Sequence, residues 1–321
     1  MQSLIFRLCF LVMFFGFSPN CFAWGFFAHQ QINKMAVFCL PPELFGFYKT
    51  HIDFITEHAV DPDKRRYMVK EEASKHFIDM DYYERALPFD TIPRSFKKAT
   101  EKYSQDSVFA NGVVPWNIGW QLKELTEAFR TKNVDRILKL SAELGHYVAD
   151  AHVPLHTTSN YNGQQTGQQG IHGFLESRLP ELFSDDYDYF IGKATYLESP
   201  LEASWQAVEG SFACLDSVFG FEKTLQHQFK ENQRYAFEPK GRNLQKVYSK
   251  AYAGAYHQKL HGMVERRMQT AVLSVASFWY TAWVNAGQPD MGNFMTPKNL
   301  IEEKLPDFEQ LPDQKMLGRQ E

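Results

Sequence analysis

Along most of the chain apolar residues recur at every third or fourth position and strand-like alternation is scarce, so the pattern predicts an assembly of helices. One helix is expected over residues 28–39, ending before Pro41-Pro42. A second follows Pro115, where proline suits a helix's first turn, and runs to Arg130. A third, over residues 134–152, is capped by Asn133 and carries a stripe of Ile137, Leu140, Leu144, Tyr147 and Ala151. Ala142, His146, Ala149 and Asp150 lie on an adjoining face, and the small alanines imply that the polar pair is enclosed as well. The last long segment, 245–286, places Val264, Met268, Ala271, Val275, Phe278 and Ala282 on one face, with Gly254 and Gly262 as points for a kink. It stops at Gly287, with Pro289 beyond.

Residues 160–170, Asn-Tyr-Asn-Gly-Gln-Gln-Thr-Gly-Gln-Gln-Gly, hold turn formers and nothing apolar to bury, so they read as a loop joining two pieces of a site. No internal repeat is visible. The expected architecture is all-α, a single-domain helical bundle over residues 24–288 with a site between its helices, followed by a loosely held tail over residues 289–321 rich in prolines, charges and glutamines.

The chain has 321 residues, 44% of them hydrophobic and 22% charged, which suits a folded core and excludes a disordered or fibrous protein. Its first 23 residues carry one charge, Arg7, then an apolar run from Leu8 to Phe17, the breaker Ser18-Pro19, and Cys21-Phe22-Ala23 with small residues at both recognition positions for cleavage. The run is half the roughly 20 residues a helix needs to span a bilayer, so a removable signal peptide is expected, and with it a secreted or periplasmic location. Loss of Arg7 takes the net charge from -4 to -5, which disfavours a grip on polyphosphate chains unless bound cations reverse the sign locally. Cys39 and Cys214 remain after cleavage and could form one disulfide, although the sequence does not say whether they meet. No C-x-x-C pair exists, which argues against a thiolate metal site.

The strongest local signal is His146-x3-Asp150-x5-His156, followed across the polar loop by His172-x3-Glu176. A spacing of four on a helix places two side chains one turn apart on one face, where both reach one ion or two adjacent ions. Imidazole and carboxylate are the ligands zinc accepts where cysteine is absent. His76 lies in Lys75-His76-Phe77-Ile78-Asp79, and fifteen residues earlier Asp61 opens Asp61-Pro62-Asp63-Lys64. Taken alone, that stretch reads as a solvated charge run beside a buried Phe77. Cleavage before Trp24 would present an α-amino group, a carbonyl and the imidazole of His29 close together.

The set Trp24 plus His29, His76-Phe77-Ile78-Asp79, His146-x3-Asp150-x-His152-x-Pro154-Leu155-His156 and His172-x3-Glu176 resembles the superfamily of zinc-dependent phospholipases C and three-zinc single-strand-specific nucleases. The resemblance spans residues 24–180 in motifs. It implies three zinc ions: one held by Asp61, His76, His146 and Asp150, one by the Trp24 amine and carbonyl, His29 and the other oxygen of Asp150, and one by His156, His172 and Glu176. Asp63 stands close to Asp61, and the fifteen-residue gap to His76, with Lys64 three residues on, favours Asp61. His152 is expected to hydrogen-bond a ligating carboxylate. His257 and His261 are expected on a solvated helix face.

The resemblance further implies a secreted phosphoric ester hydrolase in which a metal-activated hydroxide attacks phosphorus, Asp150 and Asp61 serving the catalytic ions, Asp61 alternatively as general base. Its substrate would be a phosphodiester, either a phospholipid head group or single-stranded nucleic acid. Glu176 followed by Ser177 looks like the phospholipases, whereas the nucleases carry aspartate followed by a base-binding asparagine. Lys64 and Phe77 match nuclease positions for phosphate contact and base stacking. A phospholipase C-like activity is the preferred expectation, a single-strand-specific nuclease or 3′-nucleotidase the alternative, and a non-catalytic zinc-binding periplasmic protein the third. No membrane span and no protein partner are expected.

Overall fold

The computed structural model describes residues 25–240 and 243–292 together with Leu305 and Arg319. The expected leader, Trp24 and most of the expected tail lie outside the described residues. Helices α1 (Phe26–Phe38), α2 (Val114–Arg130) and α3 (Val134–Asp150) stand close to where the periodicity puts them. Asn133 caps α3 by accepting the backbone N–H of Arg136, and Pro115 occupies the first turn of α2. Helices α4 (Pro200–Phe212), α5 (Leu215–Gln228), α6 (Lys250–Lys259) and α7 (Met263–Asn285) complete the frame. The fold is mostly helical and single-domain, as expected.

Helix α3 is the centre of the bundle: α1, α2 and α7 all pack on it, and α2 is covered in turn by α4. Every residue of α3 from Ser141 to Asp150 is buried, so the polar face is enclosed, as is the predicted apolar stripe except at Leu140. One glycine makes the α1 contact possible. A Cβ at Gly145 would collide with the Asn33 amide, whereas with glycine there Asn33 of α1 donates to Ala142 O at 3.0 Å. Asn33 lies four residues after His29, so the same close approach brings His29 onto His146, ring centroids 3.9 Å apart and nearly parallel. Trp279 of α7 donates to the O of Ser141, one residue before Ala142, at 3.0 Å and stacks on Tyr48 at 4.8 Å.

The expected helix from 245 to 286 is three elements. Its start belongs to an antiparallel hairpin, β1 (Tyr235–Lys240) and β2 (Asn243–Tyr248), with Tyr235 opposite Tyr248. Ser249 then caps α6, and the chain breaks at Gly262, whose φ of 73° lies in the left-handed region that glycine tolerates. Gly254, the other expected kink, sits inside α6. The hairpin is held by a pile of rings: Tyr248 stacks on Phe174 at 3.8 Å, and Tyr252 and Tyr256 of α6 lie parallel beyond. Cys39 and Cys214 are both free thiols, so the disulfide left open above is not formed. Among the described residues no helix is long and apolar enough to cross a membrane.

Leu144 is fully buried on α3, whereas Leu140, one turn earlier, is only partly buried. Leu144→Ala is expected to cost about 2–5 kcal/mol of unfolding free energy and Leu140→Ala less than half as much. Urea titrations check the order; equal losses would contradict the placement of the core.

Candidate metal centre

Eight ionisable side chains meet in the interior, each of them 0–3% exposed. His29 comes from α1, Asp63 from a short helical turn, Asp61–Arg65, and His76 from the segment that follows it. His146 and Asp150 come from the last turns of α3, and His156 from a 3-10 turn, Pro154–Thr157, directly after it. His172 and Glu176 sit on the far side of the polar loop, Glu176 within a π-helical turn, Phe174–Arg178. Such a turn is costly and is found mostly where a side chain must be re-aimed, here Glu176 onto His172 at 2.9 Å and onto His156 at 3.4 Å.

Asp150 joins the set. Its Oδ2 lies 3.0 Å from His76 Nδ1 and 3.2 Å from His146 Nε2, while its Oδ1 lies 3.4 Å from His29 Nε2 and 3.5 Å from His156 Nδ1. Asp63 Oδ1 stands 3.7 Å from both His76 Nδ1 and His146 Nε2. Three groups result, His29 with His146 and Asp150, Asp63 with His76 and His146, and His156 with His172 and Glu176, each with its donor atoms within 4.8 Å of one another. Donors about 2.1 Å from a tetrahedral ion are separated by about 3.4 Å, so each group could hold a cation with small adjustments of its side chains.

The donor atoms are also pre-aimed. His146 Nδ1 donates to Ala59 O at 2.8 Å and His156 Nδ1 to His76 O at 2.8 Å, which leaves each Nε2 with its lone pair toward the cluster. Ile78 N returns a bond to His156 O at 2.9 Å, so the His76 segment and the His156 turn are locked side by side. Nδ1 of His29 and both oxygens of Asp63 are buried with no hydrogen-bond partner among the described residues, and His29 Nε2 and Asp150 Oδ1 stand 3.4 Å apart. Buried polar atoms cost too much to be left so, and bound cations are the group that fits them.

The electrostatics divide the donors. Burial, helped by neighbouring His146, pushes His29 down to about 3, so its imidazole is neutral and ready to donate a lone pair. Asp150 is held well below the ordinary carboxylate range against the burial that would raise it, by His146 and His156. Asp63 is raised by burial, with His146 and His76 opposing. Despite burial, Asp150 and Glu72 hold His76 up to about 9. Glu72 is a residue that the sequence reading missed, although Glu72-x3-His76 has the i,i+4 spacing that could have found it. It lies 3.6 Å from His76 Nε2, accepts from Tyr147 Oη, and pairs with Lys75 at 2.8 Å and Arg65 at 3.4 Å.

The expected residues fall into three classes. His29, His76, His146, Asp150, His156, His172 and Glu176 are brought together. Asp61 is not: the residue that faces the cluster is Asp63. Two positions apart on a helical turn, the two carboxylates point about 200° apart, so only one can face inward. Asp61 turns instead to His58 at 2.5 Å and to Lys64 at 3.3 Å, which also occupies the Lys64 ammonium. Phe77 is buried at the rim and Ser177 packs on Gly25, where a Cβ would strike the serine hydroxyl. Gly25 N donates to Glu176 O at 3.2 Å, so the residue after Trp24 is moored beside the third group, while Trp24 itself is outside the described residues.

His152 does not touch a ligating carboxylate, contrary to expectation; its Nδ1 donates to Val148 O at 2.8 Å and its Nε2 meets Ser274 Oγ at 3.2 Å. His257 is half-buried against Tyr187 Oη at 2.9 Å, not on a solvated face.

In sequence comparisons the chain matches no family model and no curated protein, so the chemistry is read from the donor set itself. Asp63→Asn is expected to lower the metal-to-protein ratio, measured by elemental analysis after dialysis, whereas Asp61→Asn leaves it unchanged; the reverse result would restore Asp61 as the ligand. Burial and nearby Arg267 push His152 down to about 3, while the unfolded chain takes up its proton near 6.5. Its contribution to stability is therefore complete above pH 6.5 and is lost as pH falls toward 3, by about 1.4 kcal/mol per pH unit. Urea unfolding at several pH values is expected to show that slope reduced in His152→Gln.

Proposed function

We propose that the protein is a zinc-dependent phosphoric ester hydrolase, phospholipase C-like in substrate, with a centre for three ions. The observation that carries this reading is the bridging position of Asp150, one oxygen toward His76 and His146 and the other toward His29 and His156. A carboxylate shared in this way sets two cation positions side by side, and His156, His172 and Glu176 offer a third beside them. The all-nitrogen and oxygen donor set, rich in imidazole, favours zinc over magnesium or calcium. When bound, such ions acidify water toward about pH 7 and neutralise charge on phosphoryl oxygens.

The chain's own residues do the rest. Asp150 and Asp63 hold negative charge at the floor of the centre, and the backbone carbonyls of Ala59 and His76 fix the tautomers of His146 and His156. Glu72 braces His76 from behind, and burial of the whole set excludes bulk water from the ligands. The mooring of Gly25 on Glu176 supports the Trp24 α-amine as a further ligand in the chain that begins at Trp24. A nuclease or 3′-nucleotidase is the second reading; the residue that would suit it, Phe77 next to His76, is buried with its ring against the Arg319 guanidinium.

Metal-loaded protein beginning at Trp24 is expected to hydrolyse phosphatidylcholine, to lose that activity in chelator, and to regain it with zinc. Cleavage of single-stranded DNA or of 3′-AMP alone would transfer the proposal to the second reading. Hydrolysis of none of them would leave a protein whose ions staple the fold. One extra residue before Trp24 is expected to lower activity on the order of 100-fold by blocking the amine; full activity of the extended protein would remove Trp24 from the centre.

A further inference from the structure

Arg319, read from the sequence as part of a loose tail, lies inside the molecule at the rim of the metal centre. Its guanidinium is held between two aromatic faces, 4.0 Å from the ring of Phe77 and 3.8 Å from the ring of Tyr161. Nη1 donates to Asp79 Oδ1 at 2.5 Å and Nη2 to Thr158 O at 3.0 Å, and its backbone carbonyl accepts from Arg66 Nη2 at 2.7 Å. The side chain is 9% exposed. Each wall of this slot adjoins a residue of the centre. Phe77 follows His76, Thr158 lies two residues after His156, the Tyr161 ring is 6.1 Å from that of His172, and buried Arg66 stands 3.9 Å from Asp63.

Two ring faces, a carboxylate and a carbonyl select for a flat group carrying positive charge or edge donors. Any substrate whose ring or cation sought this recess would have to displace a guanidinium already stacked and hydrogen-bonded there. We propose that Arg319 is a specificity-determining residue, an occupant supplied by the chain itself that closes the Phe77–Tyr161 slot to flat or cationic substrate groups. The centre then favours esters recognised through the phosphoryl group alone. The substrate half of this proposal rests on the hydrolase reading; the occupancy half does not.

The test compares full-length, metal-loaded wild type with Arg319→Ala and Arg319→Lys. Calorimetry with ethylguanidinium is expected to detect binding to Arg319→Ala at least about tenfold tighter than to wild type, because the vacated slot accepts the same planar cation. Arg319→Lys, which keeps the charge without the plane, is expected to fall between them and serves if the alanine variant does not fold. For hydrolysis, the ratio of kcat/KM for 3′-AMP, which bears a ring, to that for phosphatidylglycerol, which bears neither ring nor cation, is expected to rise about tenfold in Arg319→Ala, mainly through KM. No gain in ethylguanidinium binding would overturn the occupancy. An equal fall in kcat for both esters would also overturn the proposal, since Arg319 would then act on the reacting phosphate. If neither protein hydrolyses either ester while only the variant binds ethylguanidinium, the hydrolase reading fails and the occupancy stands.

Discussion

The constraint on which the rest depends is the burial of the Asp150 carboxylate among four imidazoles in the middle of the helical core. Three carboxylates and five imidazoles are removed from water at this point, and an unpaired charge in such a place costs several kcal/mol. Protonation answers this only in part: burial keeps His29 neutral, whereas Asp150 and Glu72, against burial, hold His76 up to about 9. Cations between the donor atoms would answer the rest, and would turn a liability of folding into a ligand-dependent gain in stability.

The scaffold can be understood as what holds these donors in place. Gly145 admits Asn33 and so sets His29 on His146; the paired bonds between His156 and the His76–Ile78 segment join two groups through the backbone. The polar loop, which has no apolar anchor of its own, is tied down by Gln168, whose amide donates to Glu222 at 2.6 Å. Tyr252 donates to the same carboxylate, so α5 and α6 fix the loop that carries His172 to its place. The hairpin and its stack of rings then press on the π-helical turn that aims Glu176.

Much of this was legible in the sequence, for reasons that differ by residue. His146 with Asp150, and His172 with Glu176, announce themselves because spacing of four is a geometric statement on a helix. The choice of Asp63 over Asp61 was not legible, since it depends on the phase of a five-residue turn that begins at Asp61 and is set by what His58 and Lys64 reach. The hairpin escaped because six-residue strands carry only two or three alternations, and helical residues follow at once. His152 kept the motif's spacing while its ring turned to Ser274 of α7, a contact between residues 122 positions apart. The return of Arg319 to Phe77 is longer still and leaves no local trace at all.

The account stands or falls on whether this buried set is a metal centre. Anomalous diffraction at the zinc absorption edge, from crystals of the purified protein, measures that directly. The account predicts one peak among Asp63, His76, His146 and Asp150, a second beside His29 and the other oxygen of Asp150, and a third among His156, His172 and Glu176. Zinc-replete crystals with no peak at Asp150, or with zinc only at surface carboxylates, would contradict it.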